Sequence, residues 1–202
     1  MTADFESLLV ATFNPGKLRE FHDYLAGLPL DVIGLQSLPD VSPSPEDGNT
    51  FEQNAQQKAR YYSRFSPGLT LADDSGLVVD ALGGEPGIYS ARYLSPSATD
   101  EQRCCEILAR LQNVPDLGRT ARFVCSLALA RQGKVIQTFE GTVEGEIARE
   151  QRGENGFGYD PIFLFPKLNR TMAELSAADK LAVSHRGQAL RKMGEYLRSG
   201  VR

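Results

Sequence analysis

Two rhythms of apolar residues organise this chain of 202 residues. Residues 7–12, around Leu8-Leu9-Val10-Ala11, form a short apolar run that predicts a buried strand. Asn14 then offers an N-cap, and Pro15 suits the first helical position. Leu18, Phe21, Leu25 and Leu28 recur at helical spacing until Pro29 stops them. A second strand is predicted over 30–35, a proline-bearing loop over 37–48, and a helix over 50–64, with Thr50 as N-cap and Gln53 completing a capping box. Short strands at 69–72 and 77–79 flank Asp73-Asp74-Ser75-Gly76, and 83–87 reads as a rigid turn. A capped helix follows over 99–111, with Thr99 and Gln102 as its box. The longest strand candidates, 121–130 and 135–147, are joined by a hairpin turn at Gln132-Gly133. After a glycine-rich stretch at 153–158 come a short strand at 162–165 and helix starts at Thr171 with Glu174 and at Ser176 with Asp179. A last helix from Ser184 buries Leu190, Met193 and Leu197. No repeat or linker divides the sequence, so 1–202 reads as a single domain or two closely joined lobes. Strands and helices in this order, with one long hairpin, predict an α/β fold with a mixed sheet.

Composition narrows the function classes. The net charge is −4, which argues against a broad nucleic-acid face. It leaves room for a small anionic ligand whose cations are gathered locally. No apolar run approaches the ~20 residues that span a bilayer, and residues 1–6 lack the basic segment of a signal peptide. The three cysteines, two of them the neighbours Cys104 and Cys105, are not a disulfide framework and fit a reducing cytosol.

Candidate chemistry lies where the rhythms break. Asp73 and Asp74 stand side by side between apolar runs. A buried carboxylate is costly unless it is paired, hydrogen-bonded or metal-bound, and two neighbours repel. Strand alternation sends them to opposite faces, so one can serve a site and the other the scaffold. A turn built on Asp-Ser-Gly is the alternative. Thr12-Phe13-Asn14-Pro15-Gly16-Lys17 brings a hydroxyl, an amide, a lysine and a helix start together, which suits a polyphosphate. Its spacing is not that of a Walker A loop, and a capped helix with a surface lysine fits it too. Glu46-Asp47-Gly48 marks a turn, or else a carboxylate that shares a metal with Asp74. Mg²⁺ commonly takes one or two protein carboxylates and fills its shell with water and phosphate. Gly156-Phe157-Gly158-Tyr159-Asp160-Pro161 lets a backbone approach a flat ligand and lets Phe157 stack on a base. A hairpin end with aromatic core anchors is the plainer reading. Lys180 precedes Ser184-His185-Arg186-Gly187 by one helical turn. His185 and Arg186 are either donors to carbonyl oxygens of a base or an exposed basic pair after a cap. His22 reads as a surface residue.

Jointly and in order, these blocks resemble the inosine/xanthosine triphosphate pyrophosphatases, which hydrolyse non-standard purine nucleoside triphosphates. The resemblance covers residues 9–20, 46–59, 72–93, 156–161 and 180–190. It implies an α/β fold with a mixed, elongated central sheet flanked by helices, in two lobes with the active-site cleft between them. It implies hydrolysis of ITP, dITP and XTP to the monophosphate and pyrophosphate with Mg²⁺, in a cytoplasmic homodimer that partners neither nucleic acid nor membrane. By resemblance, Thr12, Asn14 and Lys17 line the triphosphate site, and Glu46 and Asp74 hold magnesium or activate water, Asp74 as general base. Ser75 contacts substrate, Phe157, Gly158, Tyr159 and Asp160 bind the nucleoside, Lys180 binds substrate, and His185 and Arg186 read the base. Hypoxanthine and xanthine carry a carbonyl where adenine carries an amino group, and a donor such as Arg186 is left unpaired by the latter. Phe13 departs from the family's usual glycine, and Asp47 competes with Glu46 for the metal role. In the chain itself, only the apolar hairpin around 123–130 speaks for a homodimer.

Overall fold

In the computed structural model, residues 6–38 and 41–199 are described. The opening segment read for a signal peptide lies outside them up to residue 5, as do Pro39 and Asp40 of the proline-bearing loop. The strands are β1 (Glu6–Ala11), β2 (Leu30–Gly34), β3 (Leu69–Val79), β4 (Thr120–Arg131), β5 (Lys134–Ile147), β6 (Phe163–Phe165) and β7 (Arg170–Thr171). The helices are α1 (Pro15–Leu25), α2 (Phe51–Tyr62), α3 (Asp100–Arg110), α4 (Ala177–Val183) and α5 (His185–Arg198). The seven strands hydrogen-bond in the order β2-β1-β3-β4-β5-β6-β7. β1 runs parallel to β2 and β3, whereas β6 is antiparallel to β5 and β7, so the sheet is mixed as expected.

Local chemistry accounts for most boundaries. Asn14 caps α1 by accepting the Lys17 N–H at 3.0 Å, with Pro15 in the first turn. Thr99 and Gln102 close a full capping box on α3. Gln53 does not close one on α2: its side chain accepts the N–H of Asn49 at 2.8 Å, one residue further back, while Thr50 still caps the Gln53 N–H. Gln132 and Gly133 both take positive φ, 50° and 78°, which is the two-residue turn that matches strand twist. Leu190 and Met193 are fully buried on α5, but Leu197 is only half-buried.

The main departure from expectation is β3. Two short strands with an intervening break were expected, and one continuous strand of 11 residues runs through Asp73-Asp74-Ser75-Gly76. A turn is unnecessary because the carboxylates meet cations, as described below. Gly76 lets a second segment pack on the strand: a Cβ there would sit 2.3 Å from the Ser90 hydroxyl.

The chain divides into two compact units. The first comprises Met1–Asp74, Ser126–Glu140 and Ala189–Arg202, and the second Ser75–Cys125 and Gly141–Gln188. Each has its own core. In the first, Ala55, Ala59 and Tyr62 of α2 pack with Leu9, Ala11 and Ala72. In the second, Ile107 and Leu111 gather with Phe123, Phe163 and Met172. Phe123 and residues 125–130 are consumed by the protein's own interior, so the 123–130 hairpin offers no apolar face to a partner. The second unit also buries Arg119, whose guanidinium donates to the main-chain carbonyls of Leu111, Ile147 and Ala148 at 2.6–2.7 Å. That arrangement satisfies the C-cap of α3 and ties it to the end of β5.

Candidate active site

In the first unit, β3 presents its two carboxylates to two different helices. Asp73 is ion-paired with Lys17 of α1. Asp74 accepts from Lys58 Nζ at 2.8 Å and from the Asn54 amide at 3.2 Å, both on α2. Asp73 thus ties strand to helix while Asp74 enters a polar cluster. Glu46 joins that cluster, with its Oε1 3.3 Å from Lys58 Nζ. Asp47 instead accepts from Gln57 at 2.7 Å. Of the two neighbouring acids, Glu46 is therefore the one that shares a cation with Asp74.

The electrostatics follow from this packing. Burial pushes the Asp74 carboxyl above its ordinary range, further than Lys58 and Lys17 pull it back. Burial opposes the Lys58 charge, but the carboxylates of Asp74 and Glu46 outweigh that and hold the ammonium above the usual lysine range. Lys58 and Asn54 were not foreseen as site residues. Their signal is positional: they lie one turn apart on the same α2 stripe as the buried Ala55, Ala59 and Tyr62. A polar pair inside an apolar stripe needs partners.

Thr12 and Asn14 stand at the head of α1, where the Thr12 hydroxyl accepts the Asn14 N–H at 3.1 Å. Lys17 is engaged by Asp73 and is not a loose surface lysine. Phe13 is 65% exposed and meets Tyr62 edge to face at 6.4 Å.

In the second unit, the 156–161 segment folds back on itself. Asp160, 3% exposed, accepts the Phe157 N–H at 2.9 Å and pairs with Lys180 at 2.5 Å. Gly156 is required there: its φ is +79°, and a Cβ would sit 2.1 Å from the Asp160 carboxylate. Tyr159 is buried and donates its hydroxyl to the Ser90 carbonyl at 2.8 Å, so it anchors the segment in the core. Phe157 remains half-buried, with Lys180 Nζ 4.6 Å and Arg186 Cζ 5.7 Å from its ring centroid. Arg186 also donates to the Ser75 hydroxyl at 2.7 Å. His185 lies flat on Phe123, with centroids 4.8 Å apart. His185 and Arg186 are 5% and 2% exposed, so the alternative of an exposed basic pair does not hold. His22 is exposed, as read.

The first unit thus gathers Asp74, Glu46, Lys58, Asn54 and the Asp73–Lys17 pair. The second gathers Phe157, Lys180, Asp160, Arg186 and Ser75. The one set can work on charge and protons, and the other can hold a flat polar ring.

The sequence profile of the Ham1 family matches residues 8–196. A dITP/XTP pyrophosphatase of Exiguobacterium sp. is 48% identical over 186 residues, 92% of this chain and 94% of that protein. The dITP/XTP pyrophosphatase of Geobacter sulfurreducens is 48% identical over 190 residues, 94% of this chain and 96% of that one. The solved structure of the Staphylococcus aureus Ham1 protein is 40% identical, with a TM-score of 0.86 over 97% of this chain and 100% of its own.

Proposed function

The chain belongs to the Ham1 family, and from that premise we propose that it hydrolyses the non-standard purine nucleoside triphosphates ITP, dITP and XTP to the monophosphate and pyrophosphate. Asp74 carries the reading. It is a buried carboxylate held by Lys58 and Asn54, and burial raises its affinity for a proton. That suits a general base. Mg²⁺ fits the donors present. Glu46 and Asp74 already converge on one cation, the Lys58 ammonium. Mg²⁺ commonly takes one or two protein carboxylates and completes its shell with substrate and water oxygens. Glu46 and Asp74 would hold it, and when bound it neutralises charge on the phosphate oxygens.

The chain's own residues do the rest. Asp74 takes a proton from water as the water oxygen bonds to the α-phosphorus, and the bridging bond to the β-phosphate breaks to release pyrophosphate. Lys17, Thr12, Asn14 and the N–H groups at the head of α1 bind phosphate oxygens. Lys180 adds charge, and Phe157 offers a stacking face to the purine. Gly158, Tyr159 and Asp160 hold that face in place, and Ser75 orients Arg186. Arg186 and His185 select a 6-carbonyl over a 6-amino group.

The test is pyrophosphate release with Mg²⁺ from ITP, dITP, XTP, ATP and GTP. Fast release from ITP, dITP and XTP and little from ATP is expected, stopped by a chelator and restored by added Mg²⁺; GTP shares the 6-carbonyl, so its rejection would need a group other than Arg186 and His185. Equal release from ATP and ITP would remove the selectivity given to Arg186. Release from none would leave a nucleotide-binding protein without turnover. In the cell this activity cleanses the nucleotide pool, and the enzyme works in the cytoplasm as a homodimer. Light scattering at twice the monomer mass would bear the homodimer out.

A further inference from the structure

Gly158 follows the stacking residue Phe157 and sits at φ +64°, which is open to glycine but not dictated by it. Within the segment, the Phe157 carbonyl accepts the Asp160 N–H at 3.3 Å. α3 touches both polar groups of Gly158. Asp100 accepts the Gly158 N–H at 2.7 Å, and the Cys104 thiol donates to the Gly158 carbonyl at 3.4 Å. The two side chains are one helical turn apart and therefore share a face. Asp100 is itself fixed, because its other oxygen accepts from Arg103 at 3.0 Å. The side chain of Arg103 is only 9% exposed and also donates to the carbonyls of Tyr93 and Ser95.

We propose that Asp100 is a positioning residue: with Cys104 it clamps Gly158, and so fixes the plane of Phe157 on which the purine stacks. The proposal rests on the nucleoside-binding role given to the 156–161 segment. Asp160 already holds the Phe157 N–H, so with Asp100 in place the peptide groups on both sides of Phe157 are tied down. Burial pushes the Cys104 thiol up to about 12, which keeps it a proton donor at neutral pH. An ordinary role for Asp100, an acid favouring the N-terminus of α3, predicts a stability change only.

The experiment compares wild type, Asp100→Ala and Asp100→Asn in steady-state ITP hydrolysis, in inhibition by inorganic tripolyphosphate, which has no base, and in calorimetric binding of ITP. Asp100→Ala should raise KM and the ITP Kd about tenfold with kcat within about twofold, the signature of lost uniform binding. Its inhibition constant for tripolyphosphate should not move. Asp100→Asn keeps an acceptor for Gly158 but sets an amide against Arg103, so its KM should fall between the two. Unchanged KM and Kd in Asp100→Ala would overturn the clamp, as would a tripolyphosphate constant that rises in step with KM. If Asp100→Ala fails to fold, Asp100→Asn together with Cys104→Ala decides it, because each loosens one hold and should raise KM severalfold. A wild type that binds ITP without turning it over would overturn the hydrolase reading alone, since Kd still reads the clamp.

Discussion

The two units solve different physical problems with the same kinds of residue. In the first, two lysines meet three carboxylates: Lys17 with Asp73, and Lys58 with Asp74 and Glu46. All of these partners but Glu46, which lies on a loop, sit on a strand and two helices, elements that hold a charge where it is wanted. In the second, Lys180 pairs with Asp160 and, with Arg186, also lies against the ring of Phe157, on a segment held by glycine conformations and carboxylate-to-backbone bonds. Paired charge buried in place acts on the transition state, whereas a ring and its cations act on affinity. Damage to the first unit should therefore appear in kcat, and damage to the second in KM.

The sharpest way to break that contrast is Asp74→Asn. It keeps shape and removes the base, so kcat for ITP should fall about 10²–10⁴-fold with KM little changed. A near-normal kcat would remove Asp74 from the centre of the reaction. Phe157→Ala should do the converse, raising KM for ITP about 10- to 100-fold through lost stacking while tripolyphosphate inhibition stays put. A fall in kcat alone would erase the contrast. Gly156→Ala strains the left-handed backbone and drives a methyl into Asp160, and thermal unfolding should report a loss of about 1–3 kcal/mol. Thiol labelling probes the smallest effect. Cys105 is exposed and should react first at pH 8, while Cys104 is buried. Raising the pH to about 10 should not release Cys104, because its thiol stays protonated until about 12. Mass spectrometry of the labelled peptides would reveal early modification of Cys104 if the α3 packing were loose.

What was legible in the sequence was local. Asn14, Thr99 and Ser176 announce their helices because the cap and the N–H it accepts are three residues apart. Lys58 is harder to read for the opposite reason. Among Gln56, Gln57 and Arg60 it looks like one more solvated side chain, and only β3, reached 16 residues later at Asp74, gives it a partner. The same long-range pairing explains why β3 does not break at its carboxylates. Local propensity favours a turn at Asp-Ser-Gly, but ion pairs from α1 and α2 and a bond from Arg186 favour the extended chain. The hairpin at 123–130 was misread as a docking face because apolar content alone does not tell a core from an interface. Glu46 and Asp47 could be separated only by seeing which one faces Lys58.

Arg119 carries a consequence of another kind, for behaviour in brine. Its three bonds end on neutral carbonyls in the interior, where mobile ions do not reach. The surface pairs Arg149 with Asp116 and Arg110 with Glu85 are open to screening. At molar salt those outer pairs should fade while the three Arg119 bonds that join α3 to β5 stay in place.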